Sequence, residues 1–95
     1  MRPTLRQLQY LVAVAETGKF HDAARLLNVS QPSLSTQIAE AEAQLGTVLV
    51  ERGRNGAFLT PTGEEVVRRA RIVLAQMEDI KTVARQFEGG LAGRF

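Results

Sequence analysis

The sequence contains no cysteine and a single histidine, His21. Disulfide frameworks, thiol redox chemistry and Cys/His zinc clusters are thereby excluded, and neither a metal nor a cofactor is implied. No apolar run approaches the roughly 18 residues of a membrane span, and the N-terminus has no apolar signal-peptide segment. A cytoplasmic protein fits these absences. A nucleophile–base pair, a phosphate-binding loop and carboxylates at catalytic spacing are also missing. Glu16, Asp22, Glu64 and Glu65 read as surface or helix-start charges, so no catalytic residue and no enzyme activity are expected. Charge is sparse as well: the net value is +2, and no charged residue occurs from Leu26 to Ala39. The 95 residues, 44% of them hydrophobic, make one small domain with one modest core.

Within that uncharged window lies the most informative stretch, Phe20 to Ile38, FHDAARLLNVSQPSLSTQI. Ala23, Ala24 and Leu27 share one face of a short helix of about Asp22 to Leu27, with Phe20 packing just ahead of it. Asn28-Val29 follow as a turn. Asn28 is one of the few non-glycine residues that tolerates the left-handed region, and Val29 is an apolar plug beneath the corner. Ser30 is an N-cap and Pro32 sits in the first turn of the next helix, where a missing N–H costs nothing. Leu34, Ile38, Ala41 and Leu45 carry that helix to Gly46, a left-handed stop. Two helices at this spacing form a helix-turn-helix, whose second helix enters the DNA major groove.

Around this unit the hydrophobic period changes twice. Leu5, Leu8, Leu11, Val12 and Ala15 recur at helical spacing before Gly18, which predicts a first helix. After Gly46, Val48 to Glu51 reads as a strand, Arg54-Asn55-Gly56 as a tight turn and Ala57-Phe58-Leu59 as the returning strand, together a wing. Thr60-Pro61 then reads as an N-cap with proline at the first helical position, and Thr62 with Glu65 offers a competing capping box. The helix that follows carries Val66, Ala70, Val73, Met77, Ile80, Ala84 and Phe87 in alternating steps of four and three, a coiled-coil repeat. From Pro61 to Glu88 it would extend about 42 Å, too far to hide its stripe in so small a domain. A partner helix from a second copy is the economical reading. Folding back over the first three helices accounts for the N-terminal part of the stripe but not its far end. Residues 89–95 are glycine-rich and read as a hinge leading elsewhere. The expected organisation is a DNA-binding unit over residues 1–60, a linker or dimerisation helix over 61–88, and a hinge over 89–95. The fold class is mainly α, a winged helix-turn-helix with a short β-hairpin and a long C-terminal helix.

The order of elements, together with Phe20, Ala23-Ala24, Val29 to Ser35, Gln37-Ile38, Glu42, Leu45-Gly46, Leu49, Glu51-Arg52, Leu59-Thr60 and Gly63, resembles the DNA-binding domain of the LysR-type transcriptional regulators. The resemblance covers nearly the whole chain, to about Phe87. It implies a winged helix-turn-helix, a dimerising linker helix and, in a longer parent protein, an effector-binding domain beyond the hinge that would sense a small molecule or a redox signal. Tyr10 to Ala13, Ser30 to Ser35, and Ala70-Arg71 followed by Val73-Leu74 are similar to the peroxide-sensing subgroup, whose sensing cysteines would lie outside this chain.

On the recognition helix, Gln31 is suited to a paired contact with adenine, Ser33 and Ser35 to donate or accept, and Pro32 to pack on a thymine methyl. The resemblance points to the same residues and adds Thr36 as a base or phosphate contact and Gln37 as a backbone contact. The alternative for each is a plain solvated or core-edge position. These side chains discriminate sequence but supply little long-range attraction, so Arg52 and Arg54 in the wing are expected at the backbone or the minor groove. Arg6 and Lys19 are expected to add phosphate contacts near the ends of the first helix. Arg68, Arg69 and Arg71 read as solvated flanks of the long helix. His21 reads as a capping, solvated or phosphate-contacting residue. The expected partners are an interrupted near-palindrome in duplex DNA and a second copy of the chain. The competing reading is a helical interaction or dimerisation module that keeps the fold without DNA affinity; it predicts salt-insensitive partner binding, whereas DNA binding falls steeply with salt.

Overall fold

The computed structural model describes residues 2–94, with side chains described through Phe87. The element order is α1 (Leu5–Thr17), α2 (Phe20–Leu27), α3 (Gln31–Leu45), β1 (Val50–Gly53), β2 (Gly56–Leu59) and α4 (Pro61–Arg94). This is the expected winged helix-turn-helix with a two-stranded antiparallel hairpin and a long final helix.

Local chemistry fixes the helix ends. Thr4 and Gln7 form a capping box at the start of α1, and Gly18 ends it in the left-handed region at φ 75°. Ser30 Oγ accepts from the Ser33 N–H at the start of α3, and Gly46 closes that helix at φ 70°. Asn28 takes φ 58° and ψ 46° between α2 and α3, the conformation that its short polar side chain makes affordable. The helix α2 begins at Phe20 rather than near Asp22, with Lys19 at its N-cap and no side-chain hydrogen bond there.

The helix α1 is the central post, in contact with α2, α3, α4 and β2. Its most buried face is therefore Gln7, Tyr10, Leu11, Ala13 and Val14. Leu8, Val12 and Ala15 of the expected stripe are only half-buried, because several neighbours surround this helix. Leu11, Val14, Leu34 and Leu49 are the largest fully buried side chains, and Phe20, Ala23, Ala24, Ile38 and Val67 complete the core around them.

The wing is shifted from its sequence reading: β1 runs Val50–Gly53 rather than Val48 to Glu51, and β2 begins at Gly56 rather than Ala57. Val48 and Leu49 are not in β1, because the N–H groups of Leu49 and Val50 both donate to Glu42 Oε2, at 2.8 and 3.2 Å, before strand pairing begins. Val50 then pairs with Leu59 and Arg52 with Ala57. The hairpin is pinned to the domain: the Ala57 N–H donates 2.8 Å to the Gly18 carbonyl. A Cβ on Gly56 would lie 2.6 Å from that same oxygen, so this approach requires glycine.

Thr60 caps α4, its Oγ1 accepting from the Gly63 N–H at 2.9 Å and donating to the Val48 carbonyl at 2.8 Å. The Thr62 capping box is not used. Ala70, only 2% exposed, and Val67 lie in the core, and Val66 packs against it, so the N-terminal part of the long stripe belongs to this domain. Farther along, Ile72, Val73, Ile80, Val83 and Phe87 are exposed, Ala84 is exposed and Met77 is half-buried. The helical backbone continues past Glu88 to Arg94. Phe95, the last residue of the expected hinge, lies outside the described residues.

Candidate nucleic-acid interface

The first turn of α3 and the wing open on the same side of the domain. Lys19, Phe20, His21, Gln31, Arg52, Arg54 and Asn55 line a cavity of about 450 Å3 between them, together with the wing backbone from Gly53 to Ala57. Three sequence segments far apart in the chain meet here: the start of α2, the start of α3 and the hairpin turn. They supply four basic or ionisable nitrogenous side chains and two exposed amides, Gln31 and Asn55, and among the lining residues there is no carboxylate. Such a surface is complementary to an anionic polymer with hydrogen-bonding edges.

Gln31, Pro32, Ser33 and Thr36 are exposed on α3, as the recognition-helix reading requires of base-contacting positions. Ser35 and Gln37 are half-buried, and both are already engaged inside the chain. Arg52 donates from Nη2 to Ser35 Oγ while its guanidinium stacks over the Phe20 ring, 3.6 Å from the centroid. A planar cation held between a hydroxyl and an aromatic face loses rotamer freedom in advance of binding. Arg52 thus joins the wing to the recognition helix, whereas Arg54 at the hairpin turn is exposed and makes no hydrogen bond among the described residues.

Gln37 accepts at Oε1 from Gln7 Nε2, at 3.1 Å. Gln7, 2% exposed, is the one buried polar residue of the domain core among the described residues. It was not singled out from the sequence, although Thr4 followed three residues later by glutamine is a readable capping-box signature. Its long-range partner 30 positions away leaves no local trace. Phe20, expected in the core and buried there, also carries Arg52 on its ring. Arg71, read as a solvated flank, pairs with Glu16 of α1 at 2.7 Å, although both side chains remain about half exposed.

At the start of α4, Glu65 accepts from Arg68, at 2.6 and 3.1 Å, and from Arg69 at 3.1 Å. The Arg68 hydrogen bond, chiefly, holds the Glu65 carboxyl down at about 2, with Arg69 adding to it. The same bond raises Arg68 above its ordinary value. No group of three or more His, Cys, Asp or Glu side chains able to hold a metal occurs among the described residues. No helix among them is long and apolar enough to cross a membrane.

Comparison with known proteins gives this arrangement a lineage. The family described as bacterial regulatory helix-turn-helix protein, lysR family, matches residues 5–64. The chain is similar to the HTH-type transcriptional regulator EstR of Acinetobacter baylyi, with 50% identity over 96% of this chain and 30% of the relative. It is also similar to the hydrogen peroxide-inducible genes activator of Dickeya chrysanthemi, with 40% identity over 94% of this chain and 29% of that relative. The chain therefore spans less than a third of the length of these curated relatives. Among solved structures, that of a CbnR DNA-binding-domain complex with DNA is similar at a TM-score of 0.83 and 40% identity, covering 87% of this chain and 95% of that one. With the family matching well over half of its length and carrying the whole helix-turn-helix and wing, the chain belongs to the LysR family of bacterial helix-turn-helix regulators.

Proposed function

We propose that this chain binds duplex DNA sequence-specifically as a homodimer and forms the DNA-binding portion of a LysR-type transcriptional regulator. The observation that carries the reading is the single concave face on which the uncharged start of α3 meets the basic wing. Neutral amide and hydroxyl groups discriminate base edges, while flanking cations supply the sequence-independent attraction. In this proposal α3 lies in the major groove with Gln31, Pro32 and Ser33 foremost, Ser35 and Thr36 alongside, and Gln37 at the phosphates. Arg54 reaches the backbone or the minor groove, and Arg52 fixes the wing beside the helix while its exposed face meets DNA. The similar CbnR domain, solved as a complex with DNA, supports the assignment.

The exposed far stripe of α4 supports pairing with a second copy, through Val73, Met77, Ile80, Ala84 and Phe87. Val66 and Ala70 pack on their own domain and serve to orient the helix from which the rest projects. Two recognition helices on one rigid pair would make binding sensitive to half-site spacing and target an interrupted near-palindrome. The proposal divides the chain into a DNA-binding unit over residues 1–60 and a linker helix from 61, with residues 89–95 leading toward an effector-binding portion outside this chain. It places the protein in the cytoplasm, with DNA, and assigns it no catalytic activity.

The test is a fluorescence-anisotropy titration against duplexes carrying randomised inverted repeats at two salt concentrations, with bound DNA recovered and sequenced. Enrichment of a spaced repeat and an affinity that falls steeply with salt are expected. Absence of binding at low salt would overturn the DNA reading in favour of a protein-interaction module.

A further inference from the structure

The side-chain amide of Gln7 does more than cap α1. Gln7 Oε1 accepts from the Thr4 backbone N–H at 3.0 Å, and Thr4 Oγ1 accepts from the Gln7 N–H at 3.1 Å. A backbone N–H can only donate, so the oxygen end of the Gln7 amide is fixed toward Thr4 and its nitrogen end must face the other way. That nitrogen donates to Gln37 Oε1 at 3.1 Å and to Glu40 Oε2 at 3.4 Å, which uses both of its hydrogens on acceptors of α3. The acceptor end of Gln37 is consequently occupied. Its Nε2 makes no hydrogen bond among the described residues, and Gln44 Oε1 is the single buried side-chain N or O atom without a partner among them, so Gln37 Nε2 reaches solvent.

From this chain of donors and acceptors we infer that Gln7 is a positioning residue that sets the polarity of the Gln37 amide, presenting its NH2 group to an acceptor on the DNA backbone. An amide free to turn presents oxygen or nitrogen, and only nitrogen is compatible with a phosphate oxygen. The selection begins at the Thr4 backbone, passes through a buried side chain and emerges on the recognition helix two turns beyond its start. Gln7 itself touches no nucleic acid. The inference rests on the DNA-binding reading for its last step but not for the polarity itself, which is a property of the free protein.

The two parts are tested separately on the chain as it exists. In the 15N-labelled free protein, the Gln7 side-chain NH2 protons are expected to be protected from solvent exchange and those of Gln37 to exchange freely. Protected Gln37 NH2 protons with freely exchanging Gln7 protons would overturn the inference without DNA being present. For the second part, a labelled duplex of arbitrary sequence suffices, because a phosphate contact acts on all sequences alike. Gln7→Met keeps the volume, removes the amide and is expected to weaken binding roughly tenfold, the scale of a hydrogen bond to a charged group. Gln37→Met should do the same, and the double variant should lose no more than either alone. Full additivity, or wild-type affinity in Gln7→Met, overturns the relay; failure of the wild-type chain to bind overturns the DNA reading instead. Should Gln7→Met not fold, Gln37→Glu retains an acceptor for Gln7 and replaces the outward donor with a carboxylate oxygen that a phosphate repels, so undiminished binding by that variant overturns the inference as well.

Discussion

Replacement of Gly63 by alanine tests the joint between wing and long helix. Gly63 lies in the first turn of α4 and is buried against the chain leading into β1. An added Cβ would fall well inside van der Waals contact of the Leu49 carbonyl oxygen and lie 2.9 Å from the carbonyl carbon. Both are backbone atoms, so no side chain can swing aside. Restoring ordinary contact means moving α4 away from the 48–50 segment by roughly 1 Å. Two hydrogen bonds span that gap: the Thr60 N–H to the Leu49 carbonyl at 2.9 Å, and Thr60 Oγ1 to the Val48 carbonyl at 2.8 Å. Loss of both, at about 1 kcal/mol each, with overpacking strain of about 1 kcal/mol, gives a destabilisation of about 3 kcal/mol. For a domain of this size that lowers Tm by roughly 12–24 °C. Thermal unfolding followed by circular dichroism measures it. Gly46→Ala is the control, since its Cβ meets nothing within 4 Å and only the φ of 70° is strained; it should cost about 1 kcal/mol. A Gly63→Ala protein that melts within about 4 °C of wild type, or no lower than Gly46→Ala, would refute the argument from close approach.

Gln31→Ala should lose about 1–3 kcal/mol of affinity for a selected site and flatten the preference at one base position, as read by competition binding. Arg54→Ala should weaken all duplexes alike and reduce the salt slope by about one; a change confined to one sequence would contradict that role. Val73→Glu with Ile80→Glu should give monomers at micromolar concentration by sedimentation, and persistence of dimers would place the interface elsewhere. The Glu65 carboxyl should titrate near 2 in a 13C NMR experiment, below its ordinary 4.5. Because the folded value is depressed, its stabilising contribution is present above about 4.5 and is lost as pH falls toward 2. The group is exposed, so high salt should shrink the shift. Stability that is equally pH-dependent in Glu65→Gln across that window, or a midpoint near 4.5, would show the arginine pairing to be ineffective.

The parts of this fold that were readable in sequence are those governed by local constraint. Asn28 at positive φ, Gly18 and Gly46 as left-handed stops, Ser30 and Thr60 as caps, and Pro32 and Pro61 in first turns each announce themselves within four residues. The period of a buried stripe gives the helices between them. What escaped depends on pairs distant in sequence. The start of β1 is not legible because Glu42, on the preceding helix, takes the N–H groups that a strand would otherwise use. The stripe of α4 carried no mark of where intramolecular packing ends, since Val67, outside the heptad positions, proves more buried than Val73 within them. At the candidate interface the residue types on α3 were legible from position alone. The engagement of Ser35 by Arg52 and of Gln37 by Gln7 was not, because it requires knowing which elements lie side by side.

The pin between Ala57 and the Gly18 carbonyl bears on who yields when protein and DNA meet. With the wing tied at that point and Arg52 clasped between Phe20 and Ser35, the span from recognition helix to hairpin is set before any contact is made. In the proposed complex the duplex is then the softer partner, and the mismatch between its resting shape and this span becomes an elastic cost that varies with base step. Base pairs that no side chain touches would be selected by their pliancy, pyrimidine–purine steps being favoured over stiff A-tracts between groove and wing. Equal affinity for two sites differing only in such a step would show that the hairpin, not the helix of DNA, gives way.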